Sequence, residues 1–184
     1  GEQAWPTVGP SAIPYSPKAP VPAEISGNEL LEIVESYVGA TRRALQACFE
    51  VIEIHMAHGY LLHQFLSPLS NQRHDRYGSD RDGRMRFPLE VTEAVRAVWP
   101  KELPLLVRVS AVDGLAGGLT LDDTVALALA LKSRGVTAID CSSGGIDGSA
   151  TIPRIPRGPG FQMPIAEHVR READIPTVAV GLIL

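Results

Sequence analysis

At 184 residues, 45% apolar and 21% charged, the chain has the size and composition of one ordinary globular domain. A formal net charge of −4 leaves no basic field for nucleic acid or an anionic membrane, and no apolar run approaches a membrane span. The first residues carry no secretory pattern, and Cys48 and Cys141 follow no metal or redox spacing, so a reducing, cytoplasmic compartment fits and Cys141 reads as an inert core thiol.

Residues 1–24 hold Pro6, Pro10, Pro14, Pro17, Pro20 and Pro22, a spacing that forbids a helix. Trp5, Ile13 and Tyr15 within it point to an irregular loop that packs on the rest of the chain. From residue 25 onward helices and strands alternate. Ser26 and Glu29 form a capping box ahead of Leu30, Val34, Val38, Thr41 and Leu45 at helical spacing. A strand over Val51 to His55 follows, then a polar, turn-rich excursion over about residues 67–83. Phe87, Val91, Ala94, Val95 and Val98 mark a second helix that stops before Pro100, and "LPLLVRVS" (103–110) is a second strand. Thr120 and Asp123 cap a third helix, carrying Leu121, Val125, Ala128 and Leu129, which Gly135 ends. "TAIDCSS" (137–143) is a third strand, Pro164 opens a short helix with Ile165 and Val169, and "PTVAVGLI" (176–183) is a fourth strand.

Apolar strands separated by single amphipathic helices imply a parallel α/β sheet, either doubly wound or a TIM barrel. No Gly-rich dinucleotide fingerprint follows any strand, which weakens the doubly wound choice. In a barrel, function gathers after the C-terminal ends of strands, where His55, Arg108, Ser110, Ser142, Ser143 and Gly181 fall. Alternation refines the picture. If Ile52, Ile54, Val107, Val109, Ile139 and Cys141 face the helices, then Glu53, His55, Arg108, Ser110 and Asp140 face the opposite way. Buried charges must be paired or used. Glu53 and Asp140 read as a structural ion network, whereas Arg108 lies level with a site and can serve a ligand.

"HMAHGY" (55–60) places two imidazoles and a phenol at a strand end. A catalytic zinc would need a third protein ligand, which no spacing supplies, and two backbone-satisfied core histidines are the bland alternative. The position favours a ligand site: two imidazole N–H groups can converge on one oxygen, and a phenol can deliver a proton.

"VIEIHMAHGYLLHQFLSPLSNQRHDRYG", with "RMRF", "LLVRVS", "IDCSSGG", "GPGFQ" and "VAVGLI", closely resembles the Old Yellow Enzyme family of FMN-dependent NAD(P)H oxidoreductases. The opening "AWPTVGPSAIPY" is similar to the branch of bacterial ene-reductases that includes the xenobiotic reductases. The resemblance implies a TIM barrel with FMN at its C-terminal mouth and NAD(P)H as reductant. It also implies that His55 and His58 bind the activating carbonyl of an enone-type substrate, that Tyr60 donates the proton, and that Arg108 stabilises the reduced flavin. Two departures stand out: Cys48 replaces a glycine before the first strand, and "YGSDRDGRMRF" replaces a more common "YGGSxENRxRF".

Four strands are readable where the barrel needs eight, and the matched region looks like the fourth to seventh, so residues 1–184 read as a single partial TIM-barrel domain. The expectation follows that the flavin's phosphate site lies outside this chain, that the chain alone binds FMN weakly, and that its two open sheet edges favour self-association. Two further readings compete: a larger dienoyl-CoA reductase or trimethylamine dehydrogenase type with an Fe–S cluster, and a non-catalytic barrel fragment.

Overall fold

The computed structural model describes residues 5–148 and 155–183. Its elements run β1 (Val8–Gly9), β2 (Ala23–Glu24), α1 (Gly27–Gln46), β3 (Ile52–Met56), α2 (Leu61–Leu66), α3 (Arg81–Val98), β4 (Leu105–Ser110), α4 (Leu121–Lys132), β5 (Ala138–Ser142), α5 (Met163–Ala173) and β6 (Thr177–Ala179). The principal sheet is parallel, in the order β3-β4-β5-β6, so β3 and β6 are its edges. Strand order follows chain order with no reversal, and the doubly wound crevice needs such a reversal.

One face of this sheet makes the core. Ile54, Met56, Leu105, Val107, Val109, Ile139 and Cys141 join Leu30 of α1, Val91 and Val95 of α3, Leu127 and Leu131 of α4, and Val169 of α5 in one buried cluster. Burying such aliphatic side chains stabilises by about 1.5–3 kcal/mol each, which fixes the face. Register then fixes what the other face shows. His55 lies beside Arg108 and Arg108 beside Asp140, in one row across three strands. The expected alternation holds, with Glu53 exposed and Asp140 buried.

The helix starts follow from their caps. Ser26–Glu29 and Thr120–Asp123 both form reciprocal capping boxes. α3 begins at Arg81, inside the expected polar excursion. Asp80 accepts the Gly83 N–H there, and a cap of this kind starts a helix before its apolar face does. α2 is a six-residue helix with no cap and too short for a readable period, which is why periodicity passes over it.

The fourth strand is shorter than expected, ending at Ala179, because Gly181 and Leu182 turn the chain with φ of 98° and 52°. Among the described residues the proline-rich segment contains no helix, but Thr7 to Gly9 does pair with the stretch before α1 through the β1–β2 ladder. Arg73 clamps it: Nη1 donates to Pro10 and Ile25 carbonyls at 3.1 and 2.8 Å, while Nη2 meets Asp75 at 2.6 Å. Tyr15 packs against the loop after β5, its carbonyl accepting the Gly148 N–H at 2.9 Å, whereas Trp5, expected to pack as well, is 89% exposed.

Both departures named above fall at left-handed backbone. Cys48 has φ of 61° and Ser79 of 66°, conformations that favour glycine. Among the described residues no helix is long and apolar enough to cross a membrane.

Candidate active site

The last core residue of β3, Met56, is wholly buried, and the chain leaves the strand through Ala57 and His58. His58 has φ of 59° and Gly59 of 76°, two successive left-handed residues that turn the backbone sharply. A turn of this kind is costly for an L-residue and needs bonds to hold it. The His58 N–H donates to Ser110 Oγ at 3.0 Å, and that hydroxyl donates on to the Gly144 carbonyl at 2.7 Å. The loops after β3 and β5 also touch backbone to backbone. A Cβ on Gly59 would stand 2.1 Å from the Gly145 oxygen, and one on Gly145 would stand 2.7 Å from the His58 Cα.

This turn brings three rings together. The His55 and His58 centroids are 5.2 Å apart, and those of His55 and Tyr60 are 5.4 Å apart with planes at 68°. Tyr60 is two-thirds exposed. Arg108 neighbours His55 on β4, and its Nε lies 3.8 Å from Asp140 Oδ2, an ion-pair distance too long for a hydrogen bond. Among the described residues His55 Nε2, Arg108 Nε and Asp140 Oδ1 are buried without a hydrogen-bond partner, all on the open face of the sheet. Buried polar groups are seldom left so; Arg96 Nε on α3 is a fourth among the described residues, but only the other three share one row, which makes this face the candidate site for a polar ligand.

The two imidazoles differ in engagement. His58 Nε2 lies 2.7 Å from Ser142 Oγ, and Ser142 in turn donates to Gln162 Oε1 at 3.3 Å, so the hydroxyl is free to accept the His58 N–H. Only the His55 Nε2 is without such a partner among the described residues. Burial, and next the Arg108 charge, lower both histidine pKa values, so the pair is uncharged at neutral pH. Burial raises the Asp140 carboxyl against the opposing pull of Arg108. Two neutral donors beside one fixed cation suit an oxygen that gains negative charge.

Sequence reading names Ser142 and Ser143 but misses their partner. Gln162, 4% exposed, accepts Ser143 Oγ at 2.6 Å and donates to the Val180 carbonyl at 3.2 Å, tying the loop after β5 to the end of β6. Its place in "GPGFQ" is visible in the sequence, but its contacts span 18 to 20 residues and have no local signal. The same holds for His63 and Asp113, whose side chains meet at 2.9 Å across 50 residues. A cavity of about 560 Å³ lies elsewhere, between the proline-rich segment and Gln64 of α2, and none of His55, His58, Tyr60 or Arg108 lines it. Its walls are mainly proline and aliphatic. Among the described residues no three His, Cys, Asp or Glu side chains are grouped to hold a metal ion.

The model of the NADH:flavin oxidoreductase / NADH oxidase family matches residues 3–184. The NADPH dehydrogenase of Geobacillus thermodenitrificans is 48% identical over 177 residues, which are 96% of this chain and 50% of that protein. The NADPH dehydrogenase of Clostridium acetobutylicum is 45% identical over 177 residues, 96% of this chain and 51% of that one. The chain thus spans about half the length of the curated relatives it matches. Among solved structures, the old yellow enzyme homologue from Zymomonas mobilis superposes with a TM-score of 0.75 at 25% identity, over 96% of this chain and 51% of that one.

Proposed function

The chain belongs to the NADH:flavin oxidoreductase / NADH oxidase family, and from that premise we propose that the protein carrying it is an FMN-dependent ene-reductase. It would use NAD(P)H to reduce the activated C=C bond of α,β-unsaturated carbonyl compounds. The observation that carries this reading is the row of unpartnered polar atoms on His55, Arg108 and Asp140, beneath the three rings at the end of β3. We place the four strands as the fourth to seventh of a TIM (β/α)8 barrel, with the site at the C-terminal ends of the strands.

The residues fit the flavin. A ring system with carbonyl acceptors on one edge complements a guanidinium that has an unused buried donor, and Arg108 is the residue to hold that edge. Bound FMN would supply the hydride chemistry, accepting from NAD(P)H and donating to the substrate's β-carbon.

The chain's own side chains then do the rest. With the ring hydrogen on Nε2, His55 donates to the substrate carbonyl oxygen, and the bond strengthens as that oxygen takes up negative charge. His58 adds a second donor by exchanging its Ser142 contact for the same oxygen. One such donor is worth about 3 kcal/mol, or roughly a hundredfold in rate. Tyr60, exposed at the mouth and in edge contact with His55, delivers the proton to the α-carbon, completing addition of hydride and proton across the double bond. Uncharged histidines serve better than charged ones here, since two imidazolium ions beside Arg108 would repel one another. The 48% identical NADPH dehydrogenase supports this assignment over the larger Fe–S reading.

The test uses the complete gene product. It should purify with non-covalent FMN. In stopped-flow, Tyr60→Phe should slow flavin reoxidation by an enone such as cyclohexenone about 10²-fold or more, while reduction by NAD(P)H stays near wild type. A protein that ignores added FMN rejects the function, and equal slowing of both half-reactions rejects the role of Tyr60.

A further inference from the structure

The sharp turn carrying His58 and Tyr60 is held from beneath by two consecutive side chains of α2. The Gly59 N–H donates to His63 Nδ1 at 2.9 Å, and Gln64 Nε2 donates to the Gly59 carbonyl at 2.7 Å. Both polar groups of the glycine between the two site residues are therefore fixed. His63 is fully buried, and so has no water to turn to. Its other nitrogen, Nε2, lies 2.9 Å from Asp113 Oδ1. A backbone N–H can only donate, so Nδ1 must accept, and the ring carries its hydrogen on Nε2, facing the carboxylate. Asp113 is anchored in turn. Its Oδ2 accepts Ser67 Oγ at 2.6 Å and the Leu119 N–H at 2.7 Å. Burial pushes the Asp113 carboxyl up, but the bonds from His63, Ser67 and Leu119 outweigh it and hold the group ionised.

We infer that His63 is a positioning residue: by accepting the Gly59 amide while donating to Asp113, it sets the direction in which His58 and Tyr60 enter the site. Through the Gly59 bond the pair ties the loop after β3 to the loop after β4, and both of its side chains are buried. Its kinetic consequence rests on the proposed ene-reductase reading; its structural consequence does not.

The two bonds can be separated. In His63→Asn the amide oxygen stands at the Nδ1 place and keeps the Gly59 bond. In His63→Gln the amide nitrogen stands at the Nε2 place and keeps the Asp113 bond instead. Asp113→Asn changes no volume. Because Ser67 and Leu119 both donate to Oδ2, the new amide must turn its NH2 toward His63, forcing the ring hydrogen onto Nδ1 and against the Gly59 N–H. If His63→Gln fails to fold, Asp113→Asn carries the same question.

Two readouts apply to the complete gene product: hydrogen exchange of the Gly59 amide with 15N-glycine labelling, and the two stopped-flow half-reactions. Gly59 exchange should stay slow in the wild type and His63→Asn and quicken at least about tenfold in His63→Gln and Asp113→Asn. Enone-driven reoxidation should stay within about threefold in His63→Asn and fall about 10- to 100-fold in the other two, with the reductive half-reaction unchanged. A merely structural histidine would lower the melting temperature of all three variants without this split. Slow Gly59 exchange in both His63→Gln and Asp113→Asn, or reoxidation that does not follow exchange, overturns the inference. A wild-type protein without enone reductase activity would instead reject the proposed function, and Gly59 exchange alone would then decide the positioning role.

Discussion

Gly59→Ala tests whether the site is built on the contact between the loops after β3 and β5. An L-residue in the left-handed region costs about 1–2 kcal/mol, and Gly59 has φ of 76°. The added Cβ would stand 2.1 Å from the Gly145 oxygen, so one backbone must move aside. That movement stretches the bonds of Gly59 to His63 and Gln64, each worth about 1 kcal/mol. The less flexible unfolded chain returns about 0.4–1 kcal/mol. The net loss is about 3 kcal/mol, a fall of roughly 6–12 °C in melting temperature for a chain of this length. Gly27→Ala is the control: it lies at the start of α1 with nothing within 4 Å of the added Cβ, and should be neutral or slightly stabilising. Circular dichroism melts of the two variants decide the matter. If Gly59→Ala melts within about 2 °C of wild type, the loops are not held as described and the strain argument fails.

Cys48→Gly should stabilise by about 1 kcal/mol in urea denaturation, because the thiol side chain is exposed and its backbone has φ of 61°; a loss of stability would refute the strain at this position. His55 and His58 have lowered pKa values in the fold, so between those values and about 6.5 the unfolded chain binds more protons. Their stabilising contribution is therefore complete above about pH 6.5 and is lost as pH falls through the folded values; the urea midpoint should drop between pH 7.5 and 5.5, and should drop less in a His55→Asn/His58→Asn variant. An equal slope in that variant would assign the acid sensitivity to other groups. Ellman's reagent should titrate Cys48 in the native state and Cys141 only after denaturation, since burial pushes the Cys141 thiol up to about 12. Rapid native reaction of both thiols would show that the core around β5 opens.

Local patterning in the chain determined the alternation of helices and strands and which residues each face of the sheet would show. Ser26–Glu29 and Thr120–Asp123 could be read as helix starts because a cap and its partner lie three residues apart. Glu53, His55, Arg108 and Asp140 could be placed opposite the core because side chains alternate in a strand whatever its neighbours are. These are properties of the backbone period, and no tertiary information enters them. Only the tertiary structure decided that His55, Arg108 and Asp140 share one row, since this depends on register between strands some 30 to 50 residues apart. It alone showed that Cys48, His58 and Ser79 take left-handed backbone that their side chains do not favour. It alone joined His58 to Ser142, Gly59 to Gly145, and His63 to Asp113. Those partners sit at or beyond the ends of different strands, and what meets at the end of a parallel sheet is set by strand order and packing, which leave no periodic trace in the chain itself.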